Sequence, residues 1–471
     1  MARILNRFIP VLVVANLLLA GCAARHYQAS PIDPAATASQ LEARSLSDDG
    51  LRAFEQKNLN PLPASWPPKS WDLQALSLAA LYYSPSLDAA RARVARADAA
   101  VTTAGARPNP VLSFSPGVPS PYLVSLDFAF PIETAGKRGY RIAGARSLDQ
   151  ASRLDLADSA WTVLAGVRLA LLNYVLASRN VDQLHSEEQA RGDQVKILER
   201  VLAAGEISRL DVDLARIELS KTTVAIRTAE GQLAEARAAL ASALGISMAG
   251  LGNAEFSWPE FDTPPKPESF SAAEIQRDAV LNRLDVRRAL AQYASAEADL
   301  RLEIAKQYPD IDLGPGYTFE ETHSFFTVAL STVIPLLNQN QGPIAEAEAR
   351  RSEAAAFFMQ TQSQAIARSE RALAVYQAAL REMEEAQSLY QLQGNQRQAV
   401  EQSIRAGADD RLTLDGVLIQ LSVLARAKLD ALGRAQHALG DLEDAVQRPL
   451  AGEESIPLQA DSRALSKSPK T

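Results

Sequence analysis

The chain has 471 residues, with 48 Lys and Arg against 56 Asp and Glu and a formal net charge of −8, a balance that excludes the basic footprint of a nucleic-acid binder. Its single Cys excludes a disulfide framework, a thiolate zinc site and a CxxC redox pair, and its four His show no HExxH spacing. The chain is 47 % hydrophobic but only 6 % aromatic, and its abundant Ala favours closely packed long helices over a large mixed core.

The first segment, 1–21, reads as a lipoprotein signal peptide. Arg3 and Arg7 form a basic start, and Phe8 to Ala20 form an apolar run too short to span a bilayer as a mature helix. Leu19-Ala20-Gly21-Cys22 resembles the lipobox of bacterial lipoproteins, which makes Cys22, the only Cys, the lipidated first residue of the mature chain. Removing the two Arg leaves 46 basic against 56 acidic residues, a mature charge of −10. Acyl chains tether an N-terminus without a spanning helix. Ala23 in place of Asp after the Cys implies sorting to the outer membrane. A lipidated N-terminal extension, 22–70, follows.

The remainder is written twice. Ser84-Pro85-Ser86-Leu87-Asp88-Ala89-Ala90, Ala97-Asp98-Ala99, Pro110 and Pro116-Gly117 return 199 positions later as Arg283-Leu284-Asp285-Val286-Arg287-Arg288-Ala289, Ala296-Glu297-Ala298, Pro309 and Pro315-Gly316. Gly205 to Asp213 returns 202 positions later as Gly407 to Asp415. Two matches at nearly equal shifts define a tandem repeat. Repeat 1 covers 71–250, a Pro-rich linker 251–269, repeat 2 270–448, and a disordered tail 449–471. Each repeat is expected to hold a helix of about 25 residues ended by Pro110 or Pro309, then two strands (about 109–131 and 309–336), then a long helical hairpin.

In the strands, Val124, Leu126, Phe128 and Phe130 alternate with Ser125, Asp127 and Ala129. Phe326, Val328, Leu330 and Ile334 likewise oppose Thr327, Ala329 and Ser331, and Ile311, Leu313, Tyr317 and Phe319 alternate with Asp310, Asp312, Gly314, Gly316 and Thr318. Such runs suit a tilted strand with lipid on one face and a lumen on the other, although a soluble sandwich edge uses the same alternation. Four strands close no barrel and open edges are not tolerated in lipid, so spanning strands require several chains. From about Gly139 to Ala204 there is no Pro, and a helix of about 65 residues reaches on the order of 100 Å. Gly205 ends it in a left-handed conformation, and Ser208 with Asp211 starts the return helix as a capping box. Gly407 with Asp409 or Asp410 does the same in repeat 2.

This order of elements resembles the TolC-like outer-membrane efflux factors from about Trp71 to Gln447. Gly205 with Leu210-Asp211-Val212, and Gly407 with Leu412-Thr413-Leu414, resemble that family's hairpin tips. Pro131-Ile132-Glu133-Thr134-Ala135-Gly136-Lys137-Arg138 and Ile334-Pro335-Leu336-Leu337-Asn338-Gln339-Asn340-Gln341-Gly342 are similar to the metal-efflux branch typified by CzcC, which typically has Phe and Arg where this chain has Leu337 and Gln339. The resemblance implies a mainly α protein with a membrane β-barrel: a homotrimer sharing a 12-stranded barrel above a periplasmic tunnel of hairpins. It also implies a periplasmic adaptor (membrane-fusion) protein docking at Gly205, Ser208, Arg209, Leu210, Gly407, Arg411 and Leu412, and an inner-membrane RND-type pump. The implied location is the outer membrane, with no cofactor, no nucleic acid and no catalysis. Hairpins converging on an axis place like residues in a ring, so Asp211, Asp213, Asp409, Asp410 and Asp415 are candidates for a cation-selective constriction, while Asp211, Asp409 and Asp410 also suit capping. Cargo divides between heavy-metal cations, favoured by the Pro131 and Pro335 segments, and drugs or other small organic molecules.

No phosphate-cradling loop, nucleophile elbow or catalytic carboxylate pair competes. Glu320, Glu321 and His323 form a solvated outer loop, unmatched by Ser120-Pro121-Tyr122 in repeat 1. A lipid-tethered coiled-coil scaffold is the rival reading; it explains the helices but not matched alternating strands in two repeats. The anchor is tested by labelled palmitate: wild-type protein should incorporate it and Cys22→Ser should not, leaving precursor or mislocalised product. A wild-type chain that takes up no label is not a lipoprotein.

Overall fold

The computed structural model describes residues 26–58, 65–118, 123–266 and 270–450. The signal peptide, Cys22, Ser120-Pro121-Tyr122 and the tail from 451 lie outside the described residues. The chain divides into two units, Met1–Ala43 and Arg44–Thr471. In the first, helix α1 (Pro34–Glu42) has Pro in its first turn, and the Asp33 carboxylate accepts the N–H groups of Ala35 and Ala36.

The second unit holds α2 (Asp49–Asn58), β1 (Ser70–Trp71), α3 (Leu73–Tyr83), α4 (Pro85–Ala104), β2 (Val111–Gly117), β3 (Leu123–Ile132), α5 (Lys137–Ala203), α6 (Arg209–Leu244), α7 (Met248–Leu251) and β4 (Glu255–Phe256). It continues with α8 (Ala272–Leu281), α9 (Leu284–Ala305), β5 (Ile311–Glu320), β6 (His323–Thr332), α10 (Gln341–Arg405) and α11 (Arg411–Val446). The series α3 to α6 recurs as α8 to α11 with the strands in the same places. The hairpin helices have 67 and 36 residues in repeat 1 and 65 and 36 in repeat 2.

The single 25-residue helix expected before each strand pair is instead two helices. Ser84 is extended, as the residue before Pro85 must be, and Arg283 takes the matching extended conformation. The longer members, α4 and α9, have 20 and 22 residues. The stretch 251–269 is no free linker where it is described. β4 pairs parallel with β1, and a 3₁₀ turn at Pro259–Asp262 buries Phe261 completely. The extension is likewise bound from Arg44 onward: Arg44 donates to the carbonyls of Tyr83 and Gly245, and Leu51 of α2 is fully buried.

Helix α5 is the centre of the unit, packing against α4, α6, α9 and α11. It is apolar enough by composition to cross a membrane, but the core accounts for that stretch: Val167, Leu171 and Leu172 are fully buried with Trp71, Leu76, Leu240, Leu244 and Phe261. A second cluster joins Ile275, Tyr376, Leu439 and Leu442, and a third joins Leu87, Val94, Leu156 and Leu164. Burying one such Leu contributes about 1.5–3 kcal/mol. Exposed ion pairs like Arg227–Glu230 and Arg350–Glu346 are worth roughly 0–1 kcal/mol, so packing at the hairpin roots dominates.

Glu55 is an exception within α2. It is fully buried, neither carboxylate oxygen has a hydrogen-bond partner among the described residues, and burial with nearby Asp72 pushes its pKa up to about 8. Below the ordinary carboxyl pKa both folded and unfolded chains are protonated and stability is complete. As pH rises the unfolded chain ionises first, so stability falls until the folded group also ionises near 8. Thermal unfolding of the wild type should therefore drop between pH 4.5 and 8.5, and Glu55→Gln should flatten that decline. An equal decline in both would remove Glu55 as its source.

Candidate functional site: the sheet wall and the hairpin tips

β2, β3, β5 and β6 form one antiparallel sheet in that order. Its register gathers the alternating residues into two faces. Phe114, Leu126, Tyr317 and Phe326 form one row across all four strands, with Phe130, Leu313 and Leu330 beside them. The opposite face carries Ser113, Asp127, Gly316 and Thr327 in one row, and Ser115, Ser125 and Thr318 in the next. The Ser125 and Thr318 hydroxyls lie 3.1 Å apart. A Cβ at Gly316 would displace the Asp127 carboxylate and the Thr327 hydroxyl, and one at Gly314 would meet the Phe128 carbonyl oxygen at 2.9 Å. The pattern loosens towards the sheet's ends: Phe325 stands opposite Thr318 on the polar face, which Val111 and Leu123 also share, while Ser324 and Thr332 fall on the apolar one.

The segments after β3 and β6 steer the chain into the long helices. Gly136 (φ 73°) and Asn340 (φ 64°) occupy the same left-handed cap position before α5 and α10, a conformation Gly and Asn adopt most readily. After β3, Lys137 Nζ lies 2.7 Å from Asp310 Oδ1, the Thr134 N–H donates to the same oxygen at 2.9 Å, and the Thr134 hydroxyl donates to the Pro309 carbonyl at 2.7 Å. Arg141 pairs with Glu133 through both guanidinium NH groups. Residues of the Pro131 segment thus bind repeat 1 to repeat 2.

At the first tip Gly205 has φ 81°, and the N–H groups of Gly205 and Glu206 donate back to Leu202 and Val201. Ser208 and Asp211 form the reciprocal capping box, and the Ser208 hydroxyl and N–H hold the Asp211 carboxyl below the usual range. At the second tip Gly407 has φ 76°. There Asp410, not Asp409, is the cap, accepting from the Thr413 N–H and hydroxyl at 2.8 Å each, which hold its pKa low. Arg209, Leu210 and Arg411 are exposed, while Leu412 is half-buried.

The equivalent acids Asp213 and Asp415 part company. Asp213 is half-exposed between Arg209 at 3.8 Å and Arg216 at 3.6 Å. Asp415 is fully buried in the chain, 3.2 Å from Arg411 Nε. Burial raises its pKa, Arg411 opposes this, and Asp193 of α5 adds to it. The reason is position, since Asp415 lies on the side of α11 facing the other hairpin. Sequence patterning gave no sign of the links that join the hairpins there: Arg426 to the buried Glu187 at 2.8 Å, and Arg168 to Glu443 at 3.2 Å. Among the described residues no three or more His, Cys, Asp or Glu converge as a metal site.

The family model of the outer membrane efflux proteins matches residues 76–246, most of repeat 1. No curated protein matches the chain significantly by sequence. Solved structures share its fold, three of them as follows. A membrane protein from Pseudomonas aeruginosa superposes with TM-score 0.66 at 18 % identity, over 86 % of this chain and 99 % of that one. CusC gives TM-score 0.65 at 19 %, over 90 % and 99 %. The outer membrane protein VceC of Vibrio cholerae gives 0.63 at 20 %, over 79 % and 95 %. The fold is therefore mainly α, with a duplicated unit of long hairpins and four strands per chain that do not close into a barrel by themselves.

Proposed function

We propose that the chain is the outer-membrane channel of a tripartite efflux pump. The observation that carries this reading is the sheet: an apolar row and a polar row each cross all four strands, mounted on hairpins whose first helices have 67 and 65 residues. Three copies place twelve strands around one lumen, the hairpins extend into the periplasm, and Cys22 adds a lipid anchor. The tips around Gly205, Ser208, Arg209, Leu210, Gly407, Arg411 and Leu412 receive a periplasmic adaptor, which connects them to an inner-membrane RND-type pump. The chain catalyses nothing; it is a passive duct. Its cargo is heavy-metal cations, a reading supported by the likeness of the Pro131 and Pro335 segments to the metal-efflux branch, with drugs or other small organic molecules as the second reading.

Among the tip acids, Asp211 and Asp410 serve as caps, which leaves Asp213, Asp409 and Asp415 to shape the constriction. Asp415 contributes once the second hairpin separates from α5. Two measurements test the reading. Purified protein in a planar bilayer should conduct, and Asp213→Asn with Asp415→Asn should shift the reversal potential under a KCl gradient towards weaker cation selectivity; unchanged selectivity and divalent block would place both acids outside the constriction. Leu126→Arg or Leu330→Arg sets a charge against hydrocarbon at about 2–4 kcal/mol near the bilayer centre, so oligomer yield should fall well below that of Ser125→Arg or Ser331→Arg. Equal losses from the two faces would refute membrane strands in this register.

A further inference from the structure

The two repeats define how the sheet edges meet between copies. Repeat 2 lies 199 positions beyond repeat 1 at β2 and β5, where Pro116-Gly117 matches Pro315-Gly316, and 204 beyond at β3 and β6, where Pro131 matches Pro335. These offsets reproduce the observed hairpin register. Leu112 opposite Phe128 becomes Ile311 opposite Thr332, and Phe114 opposite Leu126 becomes Leu313 opposite Leu330, both as the structure has them. The same offsets applied to the β3–β5 seam generate a seam that the single chain lacks, between β6 and β2.

We infer that β6 of one copy pairs antiparallel with β2 of the next, with Leu330 opposite Val118, Ile334 opposite Phe114 and Leu336 opposite Leu112. This rests on the channel reading above. The three pairs descend from Leu126 opposite Tyr317, Phe130 opposite Leu313 and Ile132 opposite Ile311. All six residues lie on the apolar face or its continuation, and each is between 56 % and 79 % exposed in the single chain. A shift of one residue would set apolar side chains against the polar face.

The strand lengths support the same partner. β3, with neighbours on both sides, runs to Ile132, whose counterpart is Leu336. β6 stops at Thr332, four residues short, where β5 alone pairs with it. Val333 to Leu337 is an apolar, exposed segment with no strand beside it. Proline does not end such a seam: β3–β5 pairing lapses at Gly314 and Pro315 but resumes in the same register, and Pro131, the counterpart of Pro335, is itself paired with Asp312.

The chemistry of the two seams differs below the strands. Within the chain, Asp310 receives Lys137 and Thr134. At the corresponding positions between copies stand Val111 and Gln341, and fully exposed Leu337 replaces Glu133. The seam between repeats is ionic, whereas the seam between copies is uncharged, with Asn338 in the place of Thr134, so the oligomer is held there by area removed from water rather than by ion pairs.

Disulfide trapping in the full chain tests the register, since residues directly opposite on antiparallel strands have Cα atoms about 4.5–5.5 Å apart, within disulfide reach, while partners two residues away fall outside it. Ile334→Cys with Phe114→Cys, and Leu336→Cys with Leu112→Cys, should form covalent oligomers on oxidation. Their yield should be on the order of tenfold above that of the shifted pairs, Ile334→Cys with Leu112→Cys and Leu336→Cys with Phe114→Cys, and of each single variant, which controls for Cys22. Val111→Asp should abolish detergent-resistant oligomers and added Gln341→Lys should restore them, rebuilding the Asp310–Lys137 pair between copies. Trapping only at shifted positions, or none in protein that conducts, overturns the register and leaves the channel standing. A monomer that neither traps nor conducts overturns both.

Discussion

A β-strand has two edges, and a sheet of four strands leaves two of them without partners. In water those N–H and C=O groups are solvated; in hydrocarbon each costs several kcal/mol. The edges here belong to β2 and β6, and the apolar face they border is continuous. An isolated copy thus carries an unpaired edge beside a lipid-seeking surface, a combination that no monomer in a bilayer satisfies. Closure by further copies answers both demands with the same contact.

Duplication explains how one sequence builds that wall and why its two halves differ. Common to both are the αL residue that opens the long helix, the Gly that closes it, and the Arg–Asp pairing at i,i+4 beyond the tip, Arg209–Asp213 and Arg411–Asp415. Divergence falls where the two repeats meet different neighbours. Repeat 1 sends Lys137 and Thr134 to Asp310 of its own chain, while repeat 2 presents Leu336 and Leu337 outward. The second β-hairpin is also longer: its strands of ten residues each turn at Glu321 and Thr322, whereas β2 stops at Gly117.

The elements with strong local signals were legible in the sequence. Alternation located the strands because both faces are used, and Gly205 and Gly407 marked the tips because only a left-handed residue ends the helix there. Ser208 and Asp211 announced their capping box by spacing alone. What stayed hidden depends on the third dimension. The break at Ser84 was written in Pro85 but outweighed by the helical pattern on either side. The anchoring of 251–266 depends on Phe256 and Phe261 finding the core, which Pro-rich composition obscures. The burial of Asp415 could not be read from repeat position, because its equivalent, Asp213, faces Arg216 while position 418 of the second repeat is Leu.

Burial along the hairpins is unequal, and this shapes how the ends behave. α5 buries residues from Lys137 to Val195, nearly its full length, because α6 and α11 flank it. α10 buries none beyond Leu380, so its last 25 residues, including Leu389 and Leu392 at more than half exposure, have only α11 beside them within the chain. Exposed apolar residues spaced along a helix that stands far from its root call for a neighbour, and in the proposed oligomer the next copy would be that neighbour. The root of the second hairpin is fixed by Tyr376, Leu439 and Leu442 inside the chain, while Arg426–Glu187 ties α11 to α5 nearer the tip. Regions with few buried apolar contacts open at the lowest free-energy cost, and within the chain the distal end of α10 is such a region, although α11 beside it buries Leu414 and Val417.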